Sequence, residues 1–168
     1  MGYTTKVGNA TFHDITLGSI FDSGADVLVC PVNCVPGVMG AGLAKEFARR
    51  WPGLRRRHAT LARDGRLSVG LAPIVGEVGR DFCLFPTKRD WRMASRLDDV
   101  ALGLEGLRIE LANHRAMPRR RPLNSIAFPA LGCGLGGLAW ADVRPLIVEA
   151  MAPIDITVML YAPKEGDA

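Results

Sequence analysis

The chain contains no apolar run of the ~18–20 residues needed to cross a bilayer. Its first residues, Met1-Gly2-Tyr3-Thr4-Thr5-Lys6-Val7, lack the apolar core of a secretion signal. A cytoplasmic protein with no membrane partner is expected. There are four cysteines, Cys30, Cys34, Cys83 and Cys133, but no C-x-x-C pair and no nearby histidine. That spacing offers no zinc site, so neither a metal nor a cofactor is expected. The thiols are either small reduced residues packed at strand ends or, for Cys34 or Cys133, a catalytic nucleophile. The second role lacks an obvious base, because His13, His58 and His114 all lie elsewhere in the sequence. Repeats, linkers and low-complexity tracts are also missing.

What is present is a core-former. Apolar residues make up 48% of the 168 positions and charged residues 23%, the composition of one globular domain over 1–168. Lysine is scarce: only Lys6, Lys45, Lys88 and Lys164 contribute to the 21 basic residues, and arginine supplies the rest. Arginines cluster at Arg49-Arg50, Arg55–Arg57 and Arg119–Arg121. With a net charge of +4 they fit either a solvated surface or a phosphate-bearing partner.

β-branched and apolar runs predict strands near Asn9–Thr16, Asp26–Cys30, Leu71–Val75, Phe82–Phe85, Ser125–Phe128 and Ile156–Tyr161. Helical periodicity predicts helices over Gly42–Arg50, Arg55–Arg63, Leu97–Ala112 and Trp140–Met151. Ser95 and Asp98 have the spacing of a capping box for the third. The alternation implies a three-layer α/β/α fold, a mixed central sheet with helices on both faces. Ligands in such folds sit beyond the carboxyl ends of strands.

Two glycine-rich segments occupy that position. One is Asn33–Gly42, after Val27–Cys30; the other is Pro129–Leu138, after Ser125–Phe128. Together they hold seven of the 19 glycines. Amides converging in such turns form an anion site, and a helix start at Gly42 would add its positive end. Two such turns suit a diphosphate.

Three ordered motifs then resemble a macrodomain, the ADP-ribose-binding fold, and most resemble its DarG-type antitoxin branch. They are Pro31-Val32-Asn33-Cys34-Val35 leading to Gly37–Gly42, Phe85–Arg92 followed by Ser95–Asp99, and Pro129–Leu138 followed by Trp140. The resemblance spans roughly 9–163. It implies a DNA ADP-ribosyl glycohydrolase, an antitoxin-like enzyme that removes ADP-ribose from modified, single-stranded DNA and is paired with an ADP-ribosyltransferase toxin. Members of that branch usually continue into a toxin-binding domain. Ending at Lys164–Ala168, this sequence corresponds to an excised domain or a stand-alone relative.

The resemblance assigns residues one by one. Ser19, with Ile20, stands where relatives place an acid for the adenine amino group. Asn33 matches the asparagine facing the distal ribose; its alternative is a turn-former. The backbones of Gly37, Val38, Met39, Gly40 and Gly42, with those of Leu131, Gly132, Cys133, Gly134, Leu135 and Gly136, enclose the diphosphate and distal ribose. Val38, Met39 and Leu135 then wall the ligand. Tyr161 either stacks on adenine or is a core aromatic at a strand end. Pro36 is inserted relative to the pattern, Ala41 replaces a frequent lysine, and Ala139 replaces a frequent acid.

Lys88, just beyond a predicted strand, is the candidate reactive residue, with Asn33 as its catalytic companion. As a free amine it would add to the aldehyde of ring-opened ADP-ribose. As an ammonium it would stabilise the leaving base or position the ribose. Neighbouring Arg89 and Arg92 are expected to favour the free amine, and Asp90 to tune it. Arg89, Trp91, Arg92 and Arg96 form an expected nucleic-acid rim, with Trp91 as a core anchor the alternative. Competing functions are de-ADP-ribosylation of protein, dephosphorylation of ADP-ribose-1''-phosphate, and non-catalytic reading of ADP-ribose.

Overall fold

The computed structural model describes residues 2–118 and 120–164. Met1, Arg119 and 165–168, which fall within the expected domain, arginine cluster and tail, lie outside the described residues.

Seven strands form one sheet: β1 (Tyr3–Val7), β2 (Ala10–Ile15), β3 (Val27–Asn33), β4 (Ile74–Glu77), β5 (Arg80–Lys88), β6 (Ser125–Phe128) and β7 (Thr157–Tyr161). Their order is β1-β2-β7-β6-β3-β5-β4. The five central strands run parallel, and β1 and β4 pair antiparallel at the edges. Among the described residues four α-helices complete the fold: α1 (Gly42–Arg50), α2 (Gly53–Arg63), α3 (Leu97–Ala116) and α4 (Trp140–Met151).

Alternation along each strand divides the apolar side chains between two cores. Val27 and Val29 of β3, Cys83 and Phe85 of β5, Ile126 and Phe128 of β6, and Val158 and Leu160 of β7 pack under α3 and α4. Leu28, Cys30 and Val32, Phe82 and Leu84, and Ala127 pack under α1 and α2. The sheet is mixed and covered on both faces, as expected.

α3 fits closely because it carries glycine at its contacts. A Cβ at Gly103 would stand 2.6 Å from the Phe85 ring. Glycine inside a helix costs about 1 kcal/mol, but full burial of one phenylalanine contributes roughly 1.5–3 kcal/mol. The exchange favours close packing of α3 against β5, the strand that carries Lys88.

Several boundaries differ from expectation. β3 and β5 continue through Pro31 and Pro86 to Asn33 and Lys88. Proline lacks a ladder N–H but its φ suits an extended strand, so near a strand end it does not stop pairing. Lys88 is therefore the last residue of β5 rather than a loop residue. β4 lies later than the predicted 71–75. β1 was not expected; all five of its residues are exposed, so it has no buried alternation to detect. The capping box is also absent. Arg96 occupies the N-cap of α3 with no side-chain bond, because Ser95 is turned into the protein, buried beside the second glycine loop.

Candidate functional site

Parallel pairing sends the ends of β2, β7, β6, β3 and β5 to the same edge of the sheet. In that spatial order the edge presents Ser19 and Ile20 beyond β2, Tyr161 at the end of β7, loop 2 (129–139) beyond β6, loop 1 (34–41) beyond β3, and Lys88 at the end of β5. Five segments scattered over the sequence thus form one row.

The two glycine loops meet. A Cβ on Gly42 would lie 3.6 Å from Leu135 Cδ1, and Lys88 Nζ donates to the Leu135 carbonyl at 3.2 Å. Among the described residues no acceptor is bonded to the amides of Gly134, Leu135 and Gly136, nor to those of Gly40, Ala41 and Gly42. α1 has no side-chain cap, so its first-turn amides stay open. Open main-chain donors at a helix N-terminus are the arrangement that suits an anion.

Loop 2 owes its path to close approach. Leu138 N–H donates to Gly132 O at 2.9 Å, and Ser95 N–H to Gly136 O at 3.0 Å. A Cβ at Gly136 would overlap both Gly132 O and Ser95 Oγ. Only glycine fits there.

Loop 1 is held mostly by bonds within itself and to α2. Asn33 Nδ2 donates to Val38 O at 3.0 Å, and Asn33 Oδ1 accepts from Val35 N at 2.9 Å. The asparagine is a turn-former here, with one N–H and further acceptor capacity left over. The Gly37 amide, expected to face the ligand, donates instead to His58 Nδ1 at 3.0 Å. Met39 is a correction: it is 1% exposed and packs in the core under α1 and α2, so it walls nothing. Leu135, at 75% exposed, does overhang the seam. Val38 is half-buried, and Leu131 and Cys133 are core residues whose backbones run through loop 2.

A register shift places the candidate catalytic pair. Val32 pairs with Pro86 but Asn33 pairs with Lys88, leaving Thr87 as the extra residue of a bulge. Lys88 and Asn33 are thereby cross-strand neighbours. Asp90, expected beside Lys88, is turned to another partner. Asp90 is engaged by Arg92, through its backbone N–H at 2.9 Å and its guanidinium at 2.8 Å. Those bonds hold its carboxyl down at about 2. Arg89 is paired at 3.0 Å with the buried Asp99. Neither guanidinium is a bare cation beside Lys88, and Arg89 is a brace rather than part of a free rim.

Trp91 is 54% exposed, which excludes the core-anchor alternative, and the Arg92 guanidinium lies 5.3 Å from its ring centroid. Arg96 is exposed, without an ion pair among the described residues. At the other end of the row, Ser19 Oγ accepts from Phe21 N at 3.3 Å to cap a short 3-10 turn (Ile20–Asp22), and Ile20 is buried. Tyr161 is half-buried, and burial raises its pKa.

The thiols are poorly suited to nucleophilic attack. Burial raises the pKa of Cys34, whose Sγ donates to Lys88 O, and pushes Cys133 up to about 11. No cluster of three or more metal-binding side chains occurs among the described residues. His58 was missed from sequence. Its spacing with Leu54 and Leu61 on the buried face of α2 was the available signal.

No family model matches the chain. It is 34% identical over 154 residues to the DNA ADP-ribosyl glycohydrolase of Mycobacterium tuberculosis, covering 89% of this chain and 42% of that protein. It is 32% identical over 167 residues to a DNA ADP-ribosyl transferase-DNA ADP-ribosyl glycohydrolase fusion protein of Thermosipho africanus, covering 88% and 41%. The chain thus spans about two fifths of the length of these curated relatives. Among solved structures, the macrodomain of Mycobacterium tuberculosis DarG superposes with a TM-score of 0.81 at 30% identity, covering 94% of this chain and 99% of that one. Thermosipho africanus DarTG in complex with ADP-ribose gives 0.81 at 28% identity, covering 99% and 45%.

Proposed function

The chain belongs to the DarG macrodomain family, and from that premise we propose that it is an ADP-ribosyl glycohydrolase that removes ADP-ribose from modified DNA bases. Water adds across the N-glycosidic bond, its hydroxyl going to the anomeric carbon and its proton to the base. The row at the sheet edge supports this reading, because its order suits an extended nucleotide. Adenine lies by Ser19, Ile20 and Tyr161, the diphosphate at the open amides of the two loops, and the distal ribose by Asn33 and Lys88.

The single observation that carries the proposal is the place of Lys88. Its amine reaches the seam between the loops, 3.2 Å from the Leu135 carbonyl, directly across from Asn33. Beyond it stand Trp91 and Arg96, a side chain for base stacking with a cation for the phosphates of single-stranded DNA. No cofactor is needed for such a hydrolysis. The proposed setting is the cytoplasm and the proposed partner a cognate ADP-ribosyltransferase toxin, supported by the fused transferase of the Thermosipho africanus relative.

The test is incubation with single-stranded oligonucleotides carrying ADP-ribose on thymine or on guanine, read by mass spectrometry. Release of unmodified DNA from one of them is expected. No release from either sinks the proposal. Release only from modified protein, conversion of ADP-ribose-1''-phosphate, or tight ADP-ribose binding without turnover would each replace it with the corresponding alternative. Lys88→Arg then separates the two roles of the lysine. Arginine keeps a cation but forms no imine, so retained activity assigns charge stabilisation and lost activity assigns amine chemistry.

A further inference from the structure

We propose that His58 is a positioning residue for the nucleotide loop that works only as its neutral Nε2–H tautomer, so that ADP-ribose affinity declines at acidic pH. The inference rests on the reading that loop 1 binds ADP-ribose.

His58 is fully buried beneath loop 1. Its partners fix its protonation. The Gly37 amide is obliged to donate, so Nδ1, 3.0 Å away, is an unprotonated acceptor. The one remaining proton sits on Nε2 and is donated to the Asn33 carbonyl at 2.7 Å. The ring therefore ties the start of the loop to its middle, where Gly37 takes φ of +75°. One turn earlier on α2, Arg55 donates to the Met39 carbonyl at 3.3 Å. One face of α2 thus grips loop 1 at Asn33, Gly37 and Met39, immediately ahead of the open amides of Gly40–Gly42.

A second proton would enter at Nδ1 and set an N–H against the N–H of Gly37. The contact would be lost at a ring buried away from solvent. Burial lowers the pKa of His58, which keeps the working tautomer in place at neutral pH. The other titratable and charged groups around it are few. On α2 itself, Arg55 is bound as described, Arg56 is exposed, Arg57 pairs with Glu77 of β4, and Arg63 lies at the far end. α1 contributes Lys45 and Glu46, the latter held by Arg49 and Arg50. Loop 1 contributes Cys34. Only the imidazole is a group that ordinarily titrates between pH 5 and 8.

The experiment is calorimetric titration of ADP-ribose from pH 8 to pH 5 into the wild type, His58→Asn and His58→Gln, each checked for folding by circular dichroism. Asparagine keeps an acceptor near the Nδ1 position and glutamine a donor near Nε2; neither gains a proton. Wild-type affinity is expected to be level near pH 8 and to fall on acidification, with a limiting slope of about tenfold per pH unit. Both variants should be flat across the range. Any titration of the ligand itself is common to all three proteins. A flat wild-type profile, or an Asn variant with the wild-type slope, overturns the proposal. If the wild type binds no ADP-ribose at pH 7.5, the reading of the ligand has failed instead. The role of His58 is then decided in the ligand-free protein by imidazole nitrogen NMR. An Nε2–H tautomer, with the Gly37 amide released on protonation, supports it; an Nδ1–H tautomer refutes it.

Discussion

Gly136→Ala isolates the steric requirement of loop 2. Gly136 is not at positive φ, so an alanine backbone is permitted and the whole effect comes from the methyl group. That methyl would overlap Ser95 Oγ, at the end of a side chain, and Gly132 O, which belongs to the backbone. A hydroxyl can rotate away; a main-chain carbonyl cannot. Reaching van der Waals separation requires a shift of about 1 Å. The shift falls on two loop bonds, Leu138 N to Gly132 O at 2.9 Å and Ser95 N to Gly136 O at 3.0 Å. Losing one costs about 1 kcal/mol, and residual overpacking costs about 1–3 kcal/mol. A total of about 2–4 kcal/mol lowers Tm by roughly 4–16 °C for a chain of this size. The same shift displaces the amides of Gly134–Gly136. Forfeiting one or two ligand hydrogen bonds there would weaken ADP-ribose binding by roughly 10- to 100-fold. Thermal melts and calorimetry measure both. Gly134→Ala is the internal control, two residues away and with nothing within 4 Å of its Cβ; it should stay within about 0.5 kcal/mol of wild type. Adding Ser95→Gly should rescue Gly136→Ala only in part, because the Gly132 carbonyl remains. Equal behaviour of the two alanine variants would refute the reasoning.

Three further outcomes are expected. Lys88→Ala should reduce release of ADP-ribose from modified DNA by at least about 100-fold while ADP-ribose affinity stays within a few-fold; single-turnover assays with parallel calorimetry test this, and full activity would remove Lys88 from the mechanism. Trp91→Ala should weaken binding of single-stranded oligonucleotide by roughly tenfold without moving Tm, since the ring is exposed, and fluorescence anisotropy at fixed salt reads it. Arg89→Ala should destabilise more than Asp99→Ala, by about 1–2 kcal/mol, because it strands a carboxylate that is 5% exposed whereas the reverse change leaves a guanidinium that is 57% exposed and able to take up water; urea unfolding of the two variants decides it.

Much of the fold was legible where pattern and burial coincide. The predicted bounds of α1, α4 and β6 are those observed, since each is an apolar segment with a glycine, an alanine-flanked tryptophan or a proline at its border. β1 escaped because nothing about its exposed face demands apolar residues, although the Gly8-Asn9 pair between Val7 and Ala10 is a two-residue hairpin signal. The prolines concealed the last residues of β3 and β5, which is why Lys88 was expected in a loop. The placement of the two glycine loops at one edge of the sheet was legible from glycine spacing after the strands. The partners inside it did not, because they depend on three-dimensional contact: Gly37 with His58, Asp90 with Arg92, Arg89 with Asp99. Met39 illustrates the limit. A methionine between glycines fits a ligand wall and a core plug equally well, and only the packing under α1 separates them.

Thr87 has an effect larger than its own chemistry. By occupying one extra place in its strand it decides which side chain stands across from Asn33, so the amine arrives there by counting. Adding one residue between Pro86 and Lys88 with the bulge kept would bring Thr87 to that station, whereas deleting Thr87 would remove the bulge and leave Lys88 across from Asn33 in a regular ladder. A single-codon insertion would therefore move the amine away from Asn33 while every residue drawn from the motif was still encoded.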